Sequence, residues 1–190
     1  RRLGDLSVLR EIHLLTRVLT FMGLLAITSM LYAQAKPAAS RRSDFQVGIG
    51  FTNANSDYLP SRINGGSAYF DFDFSRHLGI EGAFRFVKDG SGSDIYEKTY
   101  EIGGRYHRTY GRFLPYGRVM YGRGVFNYPA YPGYRHSNLA YNLFAGGAGL
   151  DYRLMNHLNA RADFEYQRWL GFPPHGLTPN LLTFGAAYRF

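Results

Sequence analysis

Cysteine is absent from the 190 residues, which excludes a disulfide framework, a cysteine-ligated metal and a thiol nucleophile. Lysine is scarce: only Lys36, Lys88 and Lys98 occur among 22 basic residues, leaving 19 arginines. A solvated surface mixes the two, so this bias points to cations paired in partly dry surroundings, where the planar guanidinium meets a carboxylate with two hydrogen bonds. Beyond residue 36 no long segment has a 3.6-residue period, so the bulk of the chain is not helical. The apolar run "VLTFMGLLAITSML", Val18 to Leu31, has 14 residues, short of the roughly 20 that a spanning helix needs.

That run has the pattern of an export signal. Arg10 and Arg17 precede it, and "YAQA" follows with small residues at Ala33 and Ala35, the A-x-A pattern of a cleavage site before Lys36. Residues 1–35 are therefore expected to be a signal peptide with an over-extended start, and 36–43 a short polar lead-in. The remainder keeps 18 basic against 12 acidic residues, a charge of +6. Such a charge raises nucleic acid or acidic lipid as partners. Most arginines, however, are dispersed singly along alternating stretches, which argues against nucleic acid. Arg41 and Arg42 form the main cluster and suit anionic head groups.

From residue 44 onward nearly everything alternates between apolar and polar, as in half-buried strands. Eight stretches are predicted: Phe45 to Thr52, Ser67 to Phe74, Leu78 to Val87, Tyr96 to His107, Phe113 to Gly124, Leu139 to Arg153, Leu158 to Trp169 and Leu181 to Phe190. Pro115 is expected to keep the start of the fifth off a regular ladder. Short connections (75–77, 108–112, 154–157) alternate with long ones (53–65, 88–95, 125–138, 170–180). In an up-and-down antiparallel sheet this puts every short turn at one end and every long loop at the other. Eight tilted strands can close into a barrel filled by side chains, and closure removes the edge that the last strand would expose.

Alternation alone fits either a secreted soluble barrel with an apolar interior or a membrane barrel with an apolar exterior. The polar faces favour the second. Asp71 and Asp73 oppose Phe70, Phe72 and Phe74; Glu81 and Arg85 oppose Ile80, Phe84 and Phe86; Arg161, Asp163 and Glu165 oppose Ala162, Phe164 and Tyr166. Glycine, alanine and threonine share those polar faces, leaving room in a narrow lumen for large ionic side chains. Most strands have the length that a tilted strand needs to cross a hydrocarbon core, with Tyr and Phe near their ends as in an aromatic girdle.

The stretch "NLFAGGAGLDYRLMNHLNARADFEYQRW" (142–169), read with the closing "LTFGAAYRF", resembles the eight-stranded transmembrane barrel of the OmpA type and its small outer-membrane relatives. A Gly-rich strand ending in an acidic residue and Tyr (Asp151, Tyr152) leads by a short turn into one ending in acidic–Tyr–Gln (Glu165, Tyr166, Gln167). The resemblance covers about residues 44–190 and departs in having Asp151 where Glu is commoner. It implies an all-β fold, an eight-stranded antiparallel up-and-down transmembrane β-barrel over 44–190, in the outer membrane of a Gram-negative-type bacterium. It implies outer-membrane lipid as surroundings. It also implies that Phe184, Tyr188 and Phe190, on one face of the last strand, are the signal read by the barrel assembly machinery. The chain ends at the barrel, so a cell-wall tethering role is not carried over.

Threading the strands up and down places Glu81, Arg85, Glu101, Arg118, Arg161, Asp163 and Glu165 near mid-height in the lumen. Asp71, Asp73, Arg105 and Asp151 fall nearer the short turns. The expectation is an ion-paired plug, with a small ion gate as its rival. "RHSN" (Arg135 to Asn138) superficially resembles the patch of outer-membrane lipid A deacylases. Adjacent His136 and Ser137 would point to opposite faces of a strand, so no catalytic residue is assigned. The histidines His77, His107, His136, His157 and His175 lack ligand spacing, and no metal or cofactor is expected. "FAGGAG" has no following Gly-Lys-Ser/Thr and is no phosphate loop. The loops 125–138, with Tyr128, Tyr131 and Tyr134, and 170–180, with Phe172, are aromatic contact surfaces that could hold an extracellular ligand.

Overall fold

The computed structural model describes residues 43–92, 94–129 and 137–190. Eight strands run in chain order: β1 (Asp44–Asn55), β2 (Ile63–Asp73), β3 (Leu78–Lys88), β4 (Tyr96–His107), β5 (Phe113–Tyr128), β6 (Ser137–Met155), β7 (Leu158–Leu170) and β8 (Asn180–Arg189). Each pairs antiparallel with its sequence neighbour, and β8 pairs with β1 from Gln46↔Arg189 to Asn55↔Asn180, so the sheet is a closed barrel. The connections between strands alternate short (74–77, 108–112, 156–157) and long (56–62, 89–95, 129–136, 171–179). The barrel therefore has a turn end, where both β1 and β8 meet, and a loop end.

The apolar faces point outward. Ile49, Val119 and Phe184 are 70 %, 72 % and 60 % exposed, while Asp71, Glu81 and Glu165 are 0 % exposed. A contiguous apolar belt of this kind cannot face water; it is the outer surface of a barrel solvated by lipid, with ionic groups turned into the lumen. The secreted soluble barrel, with its apolar face inward, is thereby excluded.

Several details differ from the sequence reading. The hairpin β5–β6 continues to Tyr128↔Ser137, so the expected loop 125–138 has strand at both of its ends, over 125–128 and 137–138. Above a membrane the ladder no longer needs an apolar face, and alternation fades before the pairing does. Pro115 stands within the ladder opposite Leu150. Its carbonyl accepts from the Arg108 N–H at 3.1 Å, so its nitrogen faces the turn beyond the His107↔Tyr116 pair, where no ladder bond is lost. The lumen glycines make room for rings as well as for ions: a Cβ on Gly122 would lie 2.9 Å from Cγ of Glu101. A Cβ on Gly48 would lie 2.2 Å from Cζ of Tyr69, and one on Gly124 would lie 2.4 Å from Cη2 of Trp169. The last strand ends one residue early, at Arg189, yet the Phe190 N–H still donates to the Phe45 carbonyl at 2.9 Å.

Candidate functional site: the lumen

Inward parity brings side chains from seven strands into two connected tiers. In the tier nearer the turn end, Arg161 on β7 forks onto Asp151 on β6, Nε to Oδ1 at 2.6 Å and Nη2 to Oδ2 at 2.8 Å. Its Nη2 also reaches Asp71 on β2 at 2.5 Å. Arg105 on β4 pairs with Asp71 and, at 3.2 Å, with Asp151. Gln46 on β1 donates to both Asp71 and Asp151, and its own carbonyl accepts from Asn159. The Arg161 guanidinium lies 4.0 Å from the Tyr69 ring centroid and 4.8 Å from that of Tyr116. Such faces solvate a guanidinium that has lost its water.

The second tier lies toward the loops. Arg118 on β5 pairs with Glu81 on β3 and with Asp163 and Glu165 on β7, both at 2.8 Å. Glu165 also accepts from Arg85 at 2.9 Å, and Arg85 holds Glu101 on β4 at 2.8 Å. Gln167 donates to Glu101 and Glu165, and accepts from the Trp169 indole N–H at 2.9 Å. Arg161, expected at mid-height, joins the tiers: it pairs within the Asp71–Asp151 group and also reaches Glu81 at 3.5 Å. The reason is register, because Arg161 is directly opposite Asp151. All nine expected lumen ions, Glu81, Arg85, Glu101, Arg105, Arg118, Asp151, Arg161, Asp163 and Glu165, are 6 % exposed or less. Desolvating each is costly and is offset only because every ion meets an opposite charge.

Periodicity did not reveal what closes the loop end. Above Gln167 the lumen turns apolar: Trp169, Leu143 and Phe126 are fully buried and pack with Phe172, Ile95 and Leu177. Phe172 packs on Phe126 at 5.1 Å and on Tyr128 at 6.0 Å, and Tyr58 packs edge-on against Phe126 at 4.9 Å. The loop 171–179 folds back over the opening. The Trp169 N–H donates to the Leu177 carbonyl at 2.8 Å, and the Thr178 hydroxyl donates to Asp57 in the loop 56–62 at 2.6 Å. Glu97 is a buried carboxylate held there by the Ser56 hydroxyl. The parity of Trp169 with Glu165 and Gln167, and of Leu143 with Asp151, is the signal that could have found this stopper.

The other expected residues fall as follows. Phe184, Tyr188 and Phe190 all point outward, with Phe190 packed on Phe45 at 5.5 Å and on Tyr188 at 5.0 Å. His77, His107 and His157 brace short turns, through the His107 carbonyl, Asp73 and the Arg189 carbonyl. Ser137 opens β6 opposite Tyr128, and Asn138 accepts from the Tyr96 hydroxyl at 2.9 Å. Ala33, Ala35, Lys36, Arg41, Arg42, Tyr131, Tyr134 and His136 lie outside the described residues.

The family model described as "Outer membrane protein beta-barrel domain" matches residues 23–190. No curated protein sequence matches the chain. Solved structures share its fold. Ail, the attachment invasion locus protein of Yersinia pestis, solved with the heparin analogue sucrose octasulfate, is 20 % identical with a TM-score of 0.56, covering 78 % of this chain and 99 % of its own. Neisserial surface protein A is 14 % identical with a TM-score of 0.60, covering 78 % and 97 %. The N-terminal β-barrel domain of Pseudomonas aeruginosa OprF is 16 % identical with a TM-score of 0.56, covering 76 % and 97 %.

Proposed function

Because the chain belongs to the outer membrane protein β-barrel domain family, we propose that it is a structural, surface-exposed protein of the Gram-negative outer membrane with a filled lumen. The barrel sits in outer-membrane lipid, its long loops outside and its short turns at the periplasm. The observation that supports the reading is the unbroken chain of contacts from Asp151 through Arg161, Glu81, Arg118, Glu165 and Arg85 to Glu101, capped by Trp169. A lumen so occupied leaves solute little free path, and its role is to hold the wall rigid. Wild type in planar bilayers is expected to conduct feebly. Glu101→Ala and Arg161→Ala are expected to lower stability and raise conductance. If both variants leave both properties unchanged, the reading is wrong; a large, steady wild-type conductance would make the protein a small pore instead.

The export and assembly steps belong to the same proposal. Residues 1–35 act as the signal, with cleavage after Ala35 leaving Lys36 as the first residue, which N-terminal sequencing of the membrane form checks. Residues 36–43 form the lead-in and 44–190 the barrel, whose Phe184, Tyr188 and Phe190 present the last strand to the assembly machinery. A second reading, ligand recognition at the surface, draws on the aromatic hairpin end and on the sulfated sugar analogue bound by Ail. Tyr128 and Phe172 are spent on packing the stopper, so Tyr131→Ser with Tyr134→Ser is the fitting test. Unchanged cell-surface binding would exclude those residues as the contact. No catalytic role is proposed, and an unaltered lipid A mass spectrum on overexpression is the expected result.

A further inference from the structure

The basic residues outside the lumen are not spread evenly. At the loop end of the lipid-facing wall, β4, β5 and β7 carry Lys98, Arg123 and Arg168, the two arginines exposed and the lysine half-exposed. The next outward residue below each cation on its own strand is a tyrosine: Tyr100, Tyr121 and Tyr166, which are 54 %, 49 % and 47 % exposed. Two residues of strand span about 7 Å, so all three cations stand one head-group step above an aromatic girdle. Register makes them neighbours. Arg123 is opposite Tyr100 on β4 and opposite Asn142 on β6, and Arg168 is opposite Phe144, two residues from Asn142. Asn142, also exposed, sets a neutral amide between the two arginines.

None of the three cations pairs with a carboxylate among the described residues. Lys98 rests over the rings of Tyr96 and Phe86, at 4.7 and 5.5 Å. The opposite side of the barrel differs. On β8, β1 and β2 the outward residues at the same end are Asn180, Asn53, Asn55 and Asn64. Arg62 there is bonded to Asn53, and Lys88 on β3 is paired with Asp94. A girdle that merely floats the barrel would have no reason to be one-sided.

We propose that the arc Lys98–Arg123–Arg168, with Asn142 at its centre, binds the phosphate groups of an outer-leaflet glycolipid. Charge complementarity selects the occupant: unpaired guanidiniums recognise phosphate through two hydrogen bonds at once. Depth selects a lipid, because the arc lies on the strands immediately above the tyrosines and not at the loop tips. A glycolipid with two phosphates can span the two arginines, which are two strands apart at about 4.8 Å per strand and offset by two residues, about 7 Å, along β6, about 12 Å in all. The proposal does not depend on whether the lumen conducts.

The test is native mass spectrometry of the full-length protein in detergent, titrated with bis-phosphorylated lipid A, the same lipid dephosphorylated, or phosphatidylglycerol. Replacing Lys98→Gln, Arg123→Gln and Arg168→Gln together is expected to weaken lipid A retention by at least about tenfold, since each cation near an anionic surface contributes separately. Dephosphorylated lipid A and phosphatidylglycerol should bind wild type about as weakly as lipid A binds the triple variant. Arg76→Gln with Arg112→Gln, at the turn end, should change nothing. A heat-dependent gel shift checks that each variant is folded; if the triple variant is not, Arg123→Gln alone should still weaken retention by about threefold, part of the same per-cation contribution. Undiminished lipid A retention in the folded variant, equal binding of the dephosphorylated lipid, or equal binding of phosphatidylglycerol overturns the proposal.

Discussion

Replacing Arg161 by methionine removes the charge that joins the two lumen tiers while keeping most of the side-chain volume. In the wild type its side chain is fully buried against Asp151 and Asp71, each 1 % exposed. Without it, Asp151 keeps Arg105 at 3.2 Å and Gln46 at 3.1 Å, and Asp71 keeps the same two partners. Two buried carboxylates then share one guanidinium. Removing one partner of a buried pair costs about 3–5 kcal/mol, so Arg161→Met should lower unfolding free energy by that amount, or roughly two to four powers of ten in the folded ratio. Arg161→Met combined with Asp151→Asn removes the orphaned charge as well, and should cost about 2 kcal/mol less than the two single losses summed. Urea unfolding in lipid vesicles, followed by the fluorescence of the one tryptophan, Trp169, measures all four corners of the cycle. A single-variant loss below about 1 kcal/mol, the level of a surface ion pair, would refute the view that this network is dry and structural.

Trp169→Ala should empty the stopper, lowering stability by about 3–5 kcal/mol as large-to-small core changes do, and should raise single-channel conductance; the gel-shift temperature and bilayer recordings report the two effects. Gly124→Ala places a methyl group against the Trp169 ring and should cost about 1–3 kcal/mol by overpacking, most of it recovered when Trp169→Phe is added. Phe190→Ala removes ring contacts with Phe45 and Tyr188, worth about 0.5–1.5 kcal/mol each beyond area. Its stability in vitro should fall modestly, while the yield of assembled barrel in cells falls steeply; equal yields would refute the assembly role of the terminal residue.

Period-two alternation determined by itself which residues share a face. The separation of Phe184 and Tyr188 from Thr183 and Ala187, and of Glu81 and Arg85 from Ile80 and Phe84, was legible because a strand turns successive side chains to opposite sides whatever it packs against. The alternating connection lengths determined the up-and-down order in the same way, and with them the even strand number and the shared end of β1 and β8. Which ions meet was not legible. Arg161 joins Asp151, Asp71 and Glu81 because strand stagger around a closed barrel sets the heights of residues 90 and 80 positions apart in sequence, and no local pattern carries that stagger. The stopper was hidden for a related reason: Tyr58, Phe126 and Phe172 come from three separate segments, and only the fold-back of the loop after Trp169 makes them one apolar cluster. The outward arc of Lys98, Arg123 and Arg168 likewise exists only in register. Each is a lone basic residue above a tyrosine in its own strand, and the pairing of β4 through β7 is what sets them side by side.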